Sequence, residues 1–229
     1  MIVIQGRGLS GGVAQGRLHC YHRVGAATNS CAAGDPAEER ARLEDARARV
    51  GAQLEALVEK CRQEVGDEAA QVFATHAMML EDEDYLRHIR DRLSREQCRA
   101  EYAVQQAGKT FAAVFEAMDD SYMRARGADV MDVTWRLLRS LAGAGAGGAS
   151  LGGPAIVAAE DLNPTEFIEL DREQVLAIVT QRDSRNSHAA IMAQLLGIPT
   201  ICNLGEDLRA EYHGRTVRVD GTAGTLTIY

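Results

Sequence analysis

Apolar residues change their spacing twice along the chain, which divides it into three stretches. In residues 1–24 the pattern is extended. Met1-Ile-Val-Ile-Gln5 and the run from Val13 to Tyr21 read as strands, and Gly6-Arg-Gly-Leu-Ser-Gly-Gly12 between them reads as a flexible glycine loop. From Asp35 to about residue 142 the spacing becomes three and four. Leu43, Ala46, Val50, Leu54, Leu57, Cys61 and Val65 form one apolar stripe behind the cap Asp35-Pro36-Ala37-Glu38. Gly66 ends that helix, and Asp67 is expected to cap a second. Ser94-Arg95-Glu96-Gln97 is expected to open a third that runs to about Met118. Asp119 and Asp120 start a fourth, carrying Val130, Val133, Trp135, Leu137, Leu138 and Leu141. Four amphipathic helices with short connections predict an antiparallel bundle.

After residue 150 short apolar strands alternate with helices. Strands are predicted from Pro154 to Ala159, from Gln174 to Thr180 and from Ile198 to Cys202. Asn163-Pro164-Thr165-Glu166 is a capping box for a short helix, and Ser187 to Leu196 is a second helix that Gly197 stops. Arg215–Asp220 and Thr225–Tyr229 form a hairpin. The expected class is α+β and multidomain: residues 1–24 and 150–229 form one α/β domain, residues 35–143 form an inserted four-helix bundle, and residues 25–34 and 144–149 are linkers.

Length and composition fit this division. At 229 residues, 46% hydrophobic and 25% charged, the chain has room for one large or two modest domains. The net charge of −8 argues against a nucleic-acid binder. No apolar run nears the roughly 20 residues of a membrane span, and the N-terminus lacks the basic-then-apolar form of a signal peptide. Five scattered cysteines without metal-ligand spacing suggest free thiols in the cytoplasm and no metal site.

Two places concentrate chemistry. His188 follows a polar loop, Gln181 to Ser187, and begins a helix for which Ser187 is the expected N-cap. The first turn of a helix presents unpaired N–H groups and the positive end of the helix dipole. Such a site suits a neutral imidazole that accepts a phosphoryl group, because the same N–H groups then favour the phosphate. An Asp–His–Ser hydrolase using Asp183 or Ser184 lacks the G-x-S-x-G elbow. The second place lies between Gln63 and Leu86, where seven acids occur without Lys or Arg around Phe73, His76, Met78, Met79 and Leu80. Residues 35–143 hold 22 acids and 16 bases, a net charge of −6, against −2 for the rest. An acidic rim around methionines suits a basic partner with an apolar patch, although the same pattern also fits a solvated face over buried methionines. Gly6-x-Gly8 and Gly11-Gly12 are a weak phosphate-loop signal.

Asn186-Ser-His-Ala-Ala-Ile-Met-Ala-Gln-Leu-Leu-Gly-Ile-Pro-Thr200 resembles the phosphohistidine signature of phosphoenolpyruvate-utilising enzymes. Three further segments, His76 to Glu83, Arg126 to Val133 and Asp161-Leu-Asn-Pro-Thr-Glu166, are similar to enzyme I of the bacterial phosphoenolpyruvate:sugar phosphotransferase system. The resemblance covers nearly the whole chain, in order. It implies a swivelling phosphohistidine α/β domain with a helical insertion that docks the carrier protein HPr. His188 would accept phosphate on Nε2 and pass it to a histidine of HPr, with Asp183, Ser184, Asn186, Ser187 and Gln194 around the phosphate. Glu68, His76, Met78, Met79, Asp82, Asp84 and Arg126 would face HPr. The resemblance also implies a longer protein, in which a C-terminal domain binds phosphoenolpyruvate and Mg²⁺ and forms a homodimer. The present fragment, expected to be a cytoplasmic monomer with no cofactor of its own, would exchange phosphate with HPr but not react with phosphoenolpyruvate. Two alternatives are a swivelling domain of a pyruvate phosphate dikinase or phosphoenolpyruvate synthase and a non-catalytic HPr-binding homologue.

This chain departs from the family pattern around the histidine. Asp183-Ser184 replaces a Gly-Gly pair, Asn186 replaces Thr, Gln194 replaces Arg, and Phe167 sits where some relatives have Thr. An aspartate there repels a phosphate, and losing the arginine removes a partner for it.

Overall fold

One residue, Gly6, separates β1 (Ile2–Gln5) from β2 (Arg7–Ser10), yet these two strands close opposite ends of one sheet. The other strands are β3 (Val13–Cys20), β4 (Ala155–Ala159), β5 (Val175–Thr180), β6 (Thr200–Cys202), β7 (Thr216–Asp220) and β8 (Thr225–Ile228), in the order β1-β8-β7-β3-β4-β5-β6-β2. A sheet whose first and last strands are joined by a single residue must curl until its edges meet. They meet at the β7–β8 turn, where the Gly6 amide donates to the Gly224 carbonyl at 2.9 Å. The computed structural model describes residues 1–21, 33–143, 151–183 and 187–229.

The glycine stretch that reads as a loop is therefore a strand: Arg7–Ser10 pairs antiparallel with β6. The alternation is hidden because backbone, not side chains, packs there. A Cβ on Gly8 would lie 2.0 Å from the Gly221 carbonyl oxygen, and one on Gly221 would lie 2.0 Å from that of Ser10. The phosphate-loop reading of Gly6-x-Gly8 falls with the loop, while Gly11 and Gly12 connect β2 to β3.

The centre of the sheet is parallel, β3-β4-β5-β6, with α6 (Pro164–Glu169) crossing from β4 to β5 and α7 (His188–Leu195) from β5 to β6. Asn163 caps α6 as the capping box requires: its side chain accepts from the Glu166 amide, and Glu166 accepts from the Asn163 amide. The β4 strand is buried along its whole length, as expected between covered faces. Leu18, Ile156, Val179, Ile201, Val217 and Leu226 lie in the core of this unit, which comprises Met1–Arg23 and Gly148–Tyr229.

The second compact unit, Val24–Gly147, is helical. Among the described residues it holds five helices where the periodicity predicts four: α1 (Pro36–Glu64), α2 (Asp67–Leu80), α3 (Glu83–Glu96), α4 (Ala100–Glu116) and α5 (Ser121–Leu141). The predicted second helix breaks at Glu81-Asp82, where Asp82 turns back to accept the Tyr85 amide and caps α3. Asp67 is the first residue of α2 rather than its cap, because Gly66 takes that place at φ 127°. Ser94-Arg95-Glu96 ends α3 instead of opening α4. The Ser94 hydroxyl donates to the Arg90 carbonyl inside the helix, and Gln97 turns left-handed at φ 48°.

The start of α4 is capped from outside: its first amide, on Ala100, donates to Glu39 of α1 at 2.8 Å. Glu39 and Glu101 are buried, and Arg42 pairs with both. The α1 stripe buries Leu43, Ala46, Val50, Leu54, Leu57 and Cys61 as predicted. Ala33 bridges to Cys98, and the Gly34 amide donates to Gln97, so the end of the predicted first linker belongs to the helical unit. Residues 25–32 of that linker and the linker at 144–149 lie outside the described residues. Among the described residues no helix is long and apolar enough to cross a membrane.

Candidate functional site

His188 is the first residue of α7, the helix that follows β5, a strand inside the parallel sheet between β4 and β6. A helix N-terminus reached from the carboxyl end of a parallel strand presents unpaired N–H groups that favour an anion. Ser187 is the N-cap, its hydroxyl accepting from the Ala190 amide at 3.1 Å. His188 is half-buried, while Ala189, Ala190 and Ala193 pack inward. Their small side chains border a shallow cleft, partly open to solvent, with Leu9, Phe167 and the hydroxyl-bearing Thr180, Ser187 and Thr200 on its walls. The two threonine hydroxyls donate to the Arg182 and Ile198 carbonyls, so the strand ends are fixed by their own side chains. The arrangement holds an imidazole at a helix start, where an anion is favoured.

Two other residues predicted around the phosphate, Asp183 and Gln194, are each tied to β2. Asp183 lies at the strand end, 3.6 Å from the Arg7 guanidinium, and accepts from the Cys202 thiol at 3.5 Å. Gln194 is exposed, and its amide nitrogen donates to the Leu9 carbonyl on β2 at 2.9 Å. Ser184 and Asn186 lie outside the described residues. Sequence reasoning missed Arg7, because an exposed arginine in a glycine-rich stretch carries no spacing signal.

The helical unit holds a second candidate, a groove. Met79, Asp82 and Asp84 line this groove at the α2–α3 junction, and Met78 beside it is 73% exposed. Tyr85, Phe111, Phe115, Val130 and Val133 complete its wall. These five were missed, although Phe111 and Phe115, four apart on α4, share one helix face and were the readable signal. Tyr85 donates to or accepts from the Thr134 hydroxyl at 3.0 Å, and burial pushes its phenol up to about 12. Glu68 is exposed on α2, eleven residues before Met79 and therefore on the same helix face, about 16 Å away along the axis.

His76 does not face outward as expected. It is 1% exposed, its Nε2 3.4 Å from Asp129 and its Nδ1 3.6 Å from Asp132, with Phe73 edge-on to the ring. The apolar face of α2 that buries Phe73 and Leu80 carries His76 inward with it. Arg126 is half-buried and 3.6 Å from Asp129, so it extends this buried network. Among the described residues no three His, Cys, Asp or Glu side chains converge on a metal position, so the Mg²⁺ implied for the longer protein has no fitting site among them.

Residues 5–126 match the family described as PEP-utilising enzyme, N-terminal, and residues 151–224 match PEP-utilising enzyme, mobile domain. The chain is 34% identical to the phosphoenolpyruvate-protein phosphotransferase of Geobacillus stearothermophilus over 98% of its own length and 39% of that protein. With the protein of the same name from Bacillus subtilis the figures are 32%, 98% and 40%. The chain thus spans about two fifths of the length of these relatives. An NMR solution structure of an Enzyme I protein superposes with a TM-score of 0.77 at 28% identity, covering 98% of this chain and 92% of the other. The N-terminal domain of Enzyme 1 (Nitrogen) gives 0.69 at 27%, covering 98% and 93%.

Proposed function

Because the chain belongs to the phosphoenolpyruvate-utilising enzymes, we propose that it is the phosphoryl-carrying part of a phosphoenolpyruvate-protein phosphotransferase and that His188 carries the phosphate. The observation that supports this best is the position of His188: the first residue of α7, at the carboxyl end of β5. In the neutral imidazole the Nε2 lone pair attacks phosphorus while Nδ1 keeps its proton. With phosphoenolpyruvate as donor the P–O bond breaks, the enolate leaves with the electron pair, and protonation at carbon gives pyruvate. In the second step a histidine nitrogen of HPr attacks, the P–Nε2 bond breaks, and its electron pair returns to His188. The N-terminal N–H groups of α7 stabilise the phosphoryl oxygens throughout.

On this reading the Met1–Arg23 and Gly148–Tyr229 unit is the swivelling phosphohistidine domain, and the helical unit is the insertion that docks HPr. The groove at Met79, Asp82 and Asp84 suits an apolar patch on a basic partner. Phosphoenolpyruvate and Mg²⁺ would be bound by a further domain, which would also form the dimer.

The test is to incubate the chain with phosphorylated HPr and measure intact mass. One acid-labile phosphoryl group is expected on the wild type and none on His188→Ala. Phosphate retained by His188→Ala, or absent from the wild type, rejects the reading. The second outcome, with HPr still bound, would instead identify a non-catalytic homologue.

A further inference from the structure

Asp183 is a carboxylate five residues before a histidine read as a phosphate acceptor. A phosphohistidine brings up to about two negative charges, and a carboxylate in the same neighbourhood disfavours it. The structure holds Asp183 from two sides. Its Oδ2 is 3.6 Å from Nη1 of Arg7 on β2, and its Oδ1 accepts from the Cys202 thiol on β6 at 3.5 Å. Arg7 and Cys202 are cross-strand partners in the β2–β6 register, so one rung of the sheet supplies both contacts.

The same strand reaches the site again two residues later. The Leu9 carbonyl receives the Gln194 side chain of α7, and Leu9 lines the cleft beside Ser187. Strand β2 is thereby tied both to the segment before His188 and to the helix that follows it.

We propose that Arg7 is a positioning residue for His188: it neutralises Asp183 and clamps it to the β2–β6 edge, so that the segment leading to the histidine carries a carboxylate without repelling the phosphoryl group. This inference rests on the His188 reading above. It makes the charge of residue 7 matter only as long as residue 183 is charged. Arg7 and Asp183 are both part-exposed, with side-chain accessibilities of 46% and 33%, so substitutions there leave the core of the sheet intact.

The experiment uses the whole chain with phosphorylated HPr and reads, by intact mass, the equilibrium share of phosphate on each protein at low and high salt. Wild type, Arg7→Lys, Arg7→Gln and the double variant Arg7→Gln with Asp183→Asn are compared. Arg7→Gln is expected to shift the equilibrium toward HPr by about fivefold at low salt and by less at high salt, because removing the guanidinium strengthens the negative field before His188 and added ions screen that field. Arg7→Lys keeps the wild-type value, and the double variant returns to within about twofold of it. Arg7→Gln with no effect overturns the proposal. So does a double variant as impaired as the single one, which would make Arg7 a structural clamp alone. A wild type that takes up no phosphate rejects the His188 reading and this inference together; normal uptake with no Arg7 effect rejects only this one.

Discussion

The two compact units place functional groups in opposite ways. In the sheet unit the candidate site is defined by backbone: a helix terminus, strand ends, and glycines that let strands touch. In the helical unit it is defined by side chains, a methionine and aromatic groove rimmed by aspartates. The first arrangement suits chemistry, because backbone dipoles are fixed before the charge arrives. The second suits docking, because side-chain shape and charge select a partner.

The difference extends to what holds each unit together. Contacts in the sheet unit join segments far apart in sequence, as when β3 pairs with β4 and β1 with β8. The helical unit rests on stripes within single helices and on a few buried polar clasps such as Glu39–Arg42–Glu101 and Asp129–His76–Asp132.

Breaking a clasp is expected to have the largest effect on stability. His76→Leu leaves two buried carboxylates against an apolar side chain and should destabilise the helical unit by about 3 kcal/mol or more. Urea unfolding followed by far-UV circular dichroism checks this, and a change below 1 kcal/mol would mean that the clasp is not structural.

A matched pair of glycine substitutions separates the units next. Gly8→Ala forces a Cβ onto the Gly221 carbonyl, and Gly108→Ala forces one to within 2.3 Å of the Thr134 hydroxyl. Each is expected to cost about 2 kcal/mol, in its own unit only. Hydrogen exchange resolved by segment reads this directly, and loss of protection in both units from either change would refute their independence.

Met79→Glu should leave stability within about 0.5 kcal/mol, since Met79 is only half-buried, yet on the docking reading weaken HPr binding at least tenfold by setting a carboxylate where the partner's apolar patch would seat. Calorimetric titration measures it; unchanged affinity would move the docking surface elsewhere.

The smallest effect is alkaline. Burial and the charge of Glu64 push the Cys61 thiol up to about 11, from an ordinary 9.0. A folded-state value above the unfolded one means that the associated stability is complete below about pH 9 and is lost as pH rises toward 11. The helical unit should therefore melt at progressively lower temperature between pH 9 and 11, and a Cys61→Ala variant should lose less over the same window.

What could be read in advance follows the same division. The α1 stripe, the Asn163 box and the Ser187 cap were visible because each is set by residues within one or two turns. The start of α4 was not, because its cap comes from Glu39, 61 residues away. Strand β2 was hidden because its glycines answer to Gly221 and Cys202, far along the chain. His188 stood out by its place after Ser187, whereas the Arg7–Asp183 contact needed the fold. His76 was misplaced because an acidic, methionine-rich run reads as surface, and the partners that bury it sit on α5.

The division of labour between the units is tested most directly by titrating HPr into His188→Ala while following phosphate uptake from phosphorylated HPr in the same samples. The expected result is wild-type affinity for HPr with no phosphate on the variant. Loss of affinity in His188→Ala, or phosphate still taken up, would contradict it.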